Sequence, residues 1–130
     1  MTVDIILYVE DQSRSKIFYE NLFACKAILD VPGMTEIQIA SGLKLGVMPE
    51  NGIAKIITPA APHPSSGKGI PRCELYIQVE NIEDWVLRSI SAGAKLISAP
   101  ENRNWGDRVA YVSDPDGHIL AFATRSKIAG

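Results

Sequence analysis

The sequence has 130 residues, a length typical of one domain, and a formal net charge of −2. Its hydrophobic fraction of 46% and charged fraction of 22% are ordinary for a globular protein and exclude wholesale disorder. The longest apolar runs, Ile5–Val9 and Ile119–Ala123, are far shorter than the roughly 20 residues that span a membrane. The charge pattern has no basic cluster of the kind that binds nucleic acid. The start MTVDIILYVED does not resemble a secretory signal, so we expect a cytoplasmic protein.

The first half of the chain begins with a predicted strand, in which apolar residues alternate from Ile5 to Val9. Asp11 or Ser13 can cap a following helix. That helix carries apolar residues at helical spacing, namely Ile17, Phe18 and Leu22. Three short strands are predicted next, at about Lys26–Val31, Thr35–Ala40 and Leu43–Met48.

The segment from Pro49 to Pro71 has a different composition. It contains five of the eight prolines, and proline removes backbone donors. We therefore predict a linker at about residues 50–71, with a short element at Ile53–Ile57.

The second half returns to the first pattern, because apolar residues alternate from Leu75 to Val79. Asn81 is a good helix N-cap, and Gly93 is a good residue to end the same helix. The turn DPDG at Asp114–Gly117 suits a type I β-turn. Strands are predicted around it, at Lys95–Ala99, Arg108–Ser113 and His118–Thr124.

These halves form an internal repeat, in which DIILYVED aligns with ELYIQVEN and SGLKLGV aligns with DGHILAF. Each half is predicted to be βαβββ. We predict an α+β fold, with the two repeats forming a curved eight-stranded mixed sheet, helices on its convex face and a ligand groove on its concave face. The chain is predicted to be a single domain, 1–130, with repeat one at about 1–49 and repeat two at about 72–126. Whether the repeats pair within one chain or between two is open.

Three segments resemble the vicinal oxygen chelate superfamily: VEDQSRSKIFYENLF, ELYIQVENIEDWV and WGDRVAYVSDPDGHILAF. This superfamily includes glyoxalase I, extradiol dioxygenases, fosfomycin-resistance enzymes and bleomycin-binding proteins. The resemblance covers nearly the whole chain except the linker, and it implies a homodimer. Family enzymes commonly bind a divalent metal through side chains on four strands. Those positions fall on Asp4, Gly46, Glu74 and Ala121.

The side chains at these positions do not predict the familiar metal site. Gly46 and Ala121 offer no donor, and zinc and related metals favour imidazole or thiolate ligands. We expect no tightly held transition metal and no cofactor. Asp4 and Glu74 would hold Mg²⁺ or Mn²⁺ only weakly. Lys44 would take the place of a cation if its ammonium reached these carboxylates.

The two carboxylates are also open to other interpretations. If Asp4 and Glu74 lie close together, like charges disfavour their joint ionisation, which suits a general acid/base pair or the binding of a basic ligand. They are weak catalytic candidates. The alternative is that each is solvated or paired with Lys44 or an arginine.

Strand alternation predicts which side chains face the groove. Trp105 and Arg108 are added by resemblance, because the WG-x-R region borders the ligand in similar proteins; Trp105 as a packing anchor is the alternative. The predicted ligand-binding residues are Asp4, Tyr8, Lys44, Met48, Glu74, Tyr76, Trp105 and Arg108. Further predicted groove positions are Ile6, Gly46, Gln78, Ile119, Ala121 and Ala123.

Other reactive or aromatic residues are expected to be structural. His63 lies in the predicted linker, and His118 follows the DPDG turn. Cys73 is expected to face the core and to have no nearby base, and Trp85 is expected to be core. The two cysteines, with no CxxC spacing, are expected to be reduced thiols.

Two functions from different classes remain open. The first is a metal-free small-molecule binder similar to bleomycin-resistance proteins, taking a basic or aromatic organic ligand. The second is a glyoxalase-like lyase, a dioxygenase or a related enzyme with an atypical or absent metal site; only the family resemblance supports it, and fold does not imply function. An interaction module is a third class, but no particular feature favours it.

Overall fold

A computed structural model describes residues 1–125, which form two compact units. The first unit comprises residues 1–68, and the second begins at Gly69. Each unit contains one four-stranded mixed sheet. The predicted α+β fold class and the two βαβββ modules are therefore confirmed. No helix among these 125 residues is long and apolar enough to cross a membrane.

The first unit contains the predicted strand, helix and three strands. These elements are β1 (Asp4–Val9), α1 (Gln12–Phe23), β2 (Leu29–Val31), β3 (Met34–Ala40) and β4 (Leu43–Pro49). The sheet order is β1-β4-β3-β2. Strands β1 and β4 are parallel, whereas the other neighbours are antiparallel. Helix α1 contacts β3 and β4, so one face of this sheet is covered by the helix.

Helix α1 begins at the cap that the sequence predicts. The Asp11 carboxylate accepts a hydrogen bond from the backbone N–H of Arg14 at 3.0 Å, which satisfies one free donor of the first turn. Leu22 is fully buried, as its spacing predicts, but Ile17 is 57% exposed. The fully buried Tyr19 contributes to the core instead. The buried face of α1 is therefore rotated about the helix axis relative to the face that the sequence predicts.

The proline-rich segment is more ordered than predicted. Residues Glu50–Ile57 form helix α2, and Pro64–Gly67 form a 3₁₀ turn. Pro49 is the N-cap residue of α2, so this proline flanks the helix instead of interrupting it. The imidazole of His63 accepts from the backbone N–H of Ser65 at 3.1 Å and caps the 3₁₀ turn, which supports a structural role for this histidine.

The second unit repeats the arrangement. Its elements are β5 (Glu74–Gln78), α3 (Ile82–Ala92), β6 (Lys95–Asn102), β7 (Asp107–Ser113) and β8 (Ile119–Arg125). The sheet order is β5-β8-β7-β6, in which β5 and β8 are parallel. The other neighbours are antiparallel, and β6 pairs with β7 through irregular register shifts.

Helix α3 and the DPDG turn have the predicted local geometry. The Asn81 carboxamide caps the helix by accepting from the N–H of Asp84 at 3.1 Å, and Gly93 ends it at a φ of 118°. In the turn, the N–H of Gly117 donates to the carbonyl of Asp114 at 3.0 Å. Nδ1 of His118 lies 2.8 Å from the Asp114 carboxylate, so this histidine stabilises the turn.

Aromatic packing holds α3 to its sheet. The ring centroids of Trp85 and Phe122 are 5.7 Å apart, and Phe122 is fully buried on β8. Trp85, expected to be core, is only partly buried, but it packs against this core residue. The side of the second sheet that carries Phe122 is therefore its helix-covered face.

Candidate functional site

Most of the candidate site residues lie on the sheet face turned away from the helix in each unit, called here the non-helical face. In the first unit, the parallel register places Asp4 beside Lys44 and Tyr8 beside Met48. Leu7, one position from Tyr8, is buried, whereas Tyr8 is 39% exposed. The predicted alternation is therefore confirmed for these four side chains.

Lys44 lies between two carboxylates on this face. Its Nζ is 3.8 Å from Oδ2 of Asp4 and 3.8 Å from Oε2 of Glu36. The ammonium thus reaches Asp4, and it stands where a cation held by these carboxylates would stand. Glu36 is a residue that the sequence reasoning missed. Its register partner on β4 is Gly46, so extending the same alternation to β3 would have found it.

Gly46, which occupies a family metal-ligand position, is covered by neighbouring side chains. A Cβ at Gly46 would lie 2.5 Å from Cδ1 of Ile6 and 3.4 Å from Sδ of Met34. The isoleucine and methionine therefore fill the space into which a longer side chain at this position would project. This part of the non-helical face is apolar packing.

In the second unit, Ala121 is also enclosed by apolar neighbours. Ala121, Ala123 and Val109 are all 0% exposed and form one cluster, against which Tyr111 packs. The two alanines lie on the predicted face, because Tyr76 is in register with Ala121. The expectation that they border an open groove is wrong, since apolar packing encloses them completely.

A hydrogen-bonded chain of three side chains lies on this face of the second unit. The Trp105 indole N–H donates to Oη of Tyr76 at 3.0 Å, and the Tyr76 hydroxyl donates to Oδ2 of Asp107 at 2.5 Å. Gln78 Nε2 also points to Oδ2, at 3.4 Å. Burial, and then the hydrogen bond to Asp107, raise the pKa of Tyr76 above its usual range.

Asp107 is the central residue of this chain, and the sequence reasoning missed it. It is 4% exposed although it is charged. Its oxygen Oδ1 is buried and has no hydrogen-bond partner among residues 1–125. Nη1 of Arg125 lies 3.9 Å from Oδ1. Alternation along β7 could have found Asp107, since Val109 and Tyr111 are on the same face.

Arg108 lies on the other face of the sheet. Its Nη2 is 2.8 Å from Oε1 of Glu83, in the first turn of α3. The hydrogen bond from the guanidinium holds the pKa of Glu83 below its usual range. The prediction that Arg108 borders the same groove as Tyr76 is therefore wrong. A one-residue step along a strand reverses the direction of the side chain, and the resemblance assigned Arg108 without regard to that step.

A further arginine supports the non-helical face. The guanidinium of Arg103 lies 5.3 Å from the centroid of the Tyr111 ring. Its Nη2 donates to the carbonyl of Val109 and to the hydroxyl of Ser98, both at 3.0 Å. These contacts stabilise the irregular pairing of β6 with β7, and no feature of the sequence alone indicated them.

The remaining predicted residues are placed as follows. Glu74 is exposed at the start of β5, in the second unit, whereas Asp4 belongs to the first. The hypothesis that these two carboxylates act as a pair stays a prediction. Cys73 is exposed, so the expectation that it faces the core is wrong. Burial raises the pKa of the other thiol, Cys25, which disfavours its reactive thiolate form.

Comparison with known proteins identifies relatives that match most of the chain. The family described as "Glyoxalase-like domain" matches residues 2–125. An uncharacterized protein from Mycobacterium bovis is 29% identical over 119 residues, which cover 86% of this chain and 75% of that protein.

Two solved structures share the fold. A glyoxalase-related enzyme from Fulvimarina pelagi has a TM-score of 0.80 at 22% identity, covering 96% of this chain and 88% of its own. A glyoxalase/bleomycin resistance protein/dioxygenase family enzyme from Burkholderia phytofirmans PsJN also has a TM-score of 0.80, at 18% identity, covering 94% and 96%.

Proposed function

The chain belongs to the glyoxalase-like domain family, within the vicinal oxygen chelate superfamily, and we propose that it binds a small organic molecule without a transition-metal centre. The observation that carries this proposal is the kind of side chain found on the two non-helical faces. Apolar packing stands at two family metal positions, while aromatic and acidic side chains remain accessible beside them.

The donor set does not fit the metal that the family commonly holds. Gly46 has no side-chain donor, and Ile6 covers it. Ala121 has none either and is completely enclosed. The remaining carboxylate of the first unit, Asp4, already faces the ammonium of Lys44. Zinc and related metals are held by three or four His, Cys, Asp or Glu donors around one point, and these positions do not supply that number, so we derive no chemical step through such an ion.

The accessible side chains suit an organic ligand. Trp105 is 53% exposed, and Tyr76 and Tyr8 keep more than a third of their surface. Aromatic planes of this kind contribute large contact areas, and a few fixed polar groups then orient the ligand. The hydroxyl of Tyr76 is such a group, held in place by its hydrogen bonds with Trp105 and with the buried Asp107.

A ligand screen tests the proposal. Protein dialysed against a chelator is screened by thermal shift against planar amines, planar acids and neutral aromatic compounds. The proposal predicts a saturable rise in melting temperature for a subset of the compounds in the absence of metal, because binding to the native state stabilises it. A metal-dependent, glyoxalase-like form of the enzyme alternative predicts stabilisation only after a divalent metal is returned, together with turnover of the hemithioacetal of methylglyoxal and glutathione.

We also propose that the protein is a homodimer. Strands β2 and β6, each at one edge of its own sheet, carry exposed apolar side chains: Leu29 and Val31 on β2, and Leu96 and Ile97 on β6. Open strand edges with apolar side chains are normally covered in native proteins. Light scattering should give twice the chain mass of 14.2 kDa. A mass of one chain at every concentration would contradict the dimer.

A further inference from the structure

The hydrogen bonds around Asp107 have a fixed direction. An indole N–H can only donate, so the Tyr76 oxygen accepts from Trp105 and directs its own hydrogen to Asp107. Oδ2 of Asp107 therefore acts as an acceptor, and Gln78 adds a second, longer donor to it. The carboxylate is held rigidly through this one oxygen.

The other oxygen of Asp107 lacks a donor. Oδ1 is buried and makes no hydrogen bond within residues 1–125, although the side chain is only 6% exposed. A buried carboxylate oxygen without a donor is unfavourable, because the water that it loses on burial is not replaced. The position next to Oδ1 therefore favours an N–H donor that carries positive charge.

Arg125 supplies positive charge near Oδ1 but no hydrogen bond to it. Its Nη1 is 3.9 Å from Oδ1, which is beyond hydrogen-bond distance, and its side chain is 78% exposed. The guanidinium thus contributes charge from the solvent side without donating a hydrogen bond. A cationic group that reaches Oδ1 directly would replace a weak, screened ion pair with a charge-assisted hydrogen bond.

An aromatic surface is joined to the same carboxylate. The Trp105 ring is 53% exposed, and its hydrogen bond to Tyr76 fixes its orientation relative to Asp107. A flat ring lying on this indole would place an attached cation close to the carboxylate. One small molecule can both stack on an aromatic face and pair with a carboxylate.

We propose that Asp107 binds the N–H-bearing cation of a flat organic ligand, an amidinium or a primary ammonium, with Trp105 and Tyr76 forming the aromatic wall of the same site. This inference rests on the proposed small-molecule function and adds the chemical class of the ligand. It places the anchor in the second unit alone, at a residue that none of the family metal positions includes.

Benzamidine and benzamide form a matched pair of probes for this site, because they have similar shape and only benzamidine is a cation. Binding is followed by two-dimensional NMR of the ¹⁵N-labelled protein through the two indole N–H signals. The signal of Trp105 should shift on addition of benzamidine, whereas that of Trp85, on the helix-covered side, should not. Benzamidine should bind about tenfold more tightly than benzamide, the ratio expected for one charge-assisted hydrogen bond.

Two variants assign this preference to Asp107. Asp107→Asn keeps the shape and removes the charge, so benzamidine and benzamide should then bind equally. Arg125→Ala removes the competing guanidinium from an exposed position, and it should make benzamidine bind more tightly. These opposite effects distinguish a binding site from a purely structural carboxylate.

The proposal is wrong if benzamide binds as well as benzamidine, if the preference persists in Asp107→Asn, or if benzamidine never shifts the Trp105 signal. Should Asp107→Asn lose its folded spectrum, Arg125→Ala decides the question, and an unchanged benzamidine affinity would overturn the site. A screened ligand whose affinity survives Asp107→Asn would leave the proposed function standing and remove Asp107 from it. Failure of every compound in the thermal-shift screen would contradict the proposed function itself.

Discussion

Replacing Tyr76 with phenylalanine tests the hydrogen-bonded chain of the second unit. The substitution removes the donor that lies 2.5 Å from Oδ2 of Asp107 and leaves Gln78, at 3.4 Å, as the remaining donor to that oxygen. A hydrogen bond to a charged group contributes about 1.5–3 kcal/mol. Trp105 is exposed enough for water to accept its freed N–H. We expect Tyr76→Phe to lower the free energy of unfolding by about 2 kcal/mol.

The chain offers a closely matched control. Tyr8 is 39% exposed and Tyr76 is 38% exposed, but the Tyr8 hydroxyl makes no hydrogen bond within the described part of the chain. Tyr8→Phe should therefore change stability by less than about 0.5 kcal/mol. Urea unfolding followed by circular dichroism measures both values through linear extrapolation. Equal losses for the two variants would refute the claim that Tyr76 stabilises a buried carboxylate.

Three further predictions concern Trp105, Lys44 and the ionisation of Tyr76. Trp105→Ala should weaken the binding of a ligand found by screening by about 1–3 kcal/mol. A large loss of folding stability with unchanged ligand affinity would instead show that Trp105 is a packing anchor. Lys44→Met frees Asp4 and Glu36 from two partly exposed ion pairs worth roughly 0.5 kcal/mol each. Calorimetry should therefore show Mn²⁺ binding about fivefold more tightly, whereas unchanged binding would show that Lys44 does not block a cation. Because the folded state raises the pKa of Tyr76, the stability that this residue contributes is complete below the ordinary tyrosine value of about 10 and is lost as the pH rises through the higher folded value. In urea titrations, the gap between wild type and Tyr76→Phe should narrow over that range, and a constant gap would contradict the raised pKa.

Much of the fold was predictable because its signals are local. The caps at Asp11 and Asn81, the glycine at Gly93 and the DPDG turn each act within a few residues, and the structure confirms all of them. The helix after Pro49 is longer than the short element predicted at Ile53–Ile57, because a high proline content favours a linker prediction. A proline at a helix N-cap does not oppose the helix that follows.

The candidate site was less predictable because it depends on contacts across strands. Asp107 acquires its importance from Tyr76, which is distant in sequence, and from Trp105 beyond the end of β6. Arg108 was misplaced by a single step of strand alternation, and the enclosed state of Ala121 depends on Tyr111 packing from the neighbouring strand. Sequence position indicates a face of the sheet, but side-chain volumes decide whether that face is open.

The metal content of the protein tests the central claim most directly. The protein should be expressed in medium supplemented with zinc, nickel, iron and manganese, purified without chelator, dialysed and analysed by mass spectrometry for metals. Since Ile6 covers Gly46 and apolar side chains enclose Ala121, we expect each metal well below one ion per chain. Stoichiometric zinc, nickel or iron that survives dialysis would contradict the account.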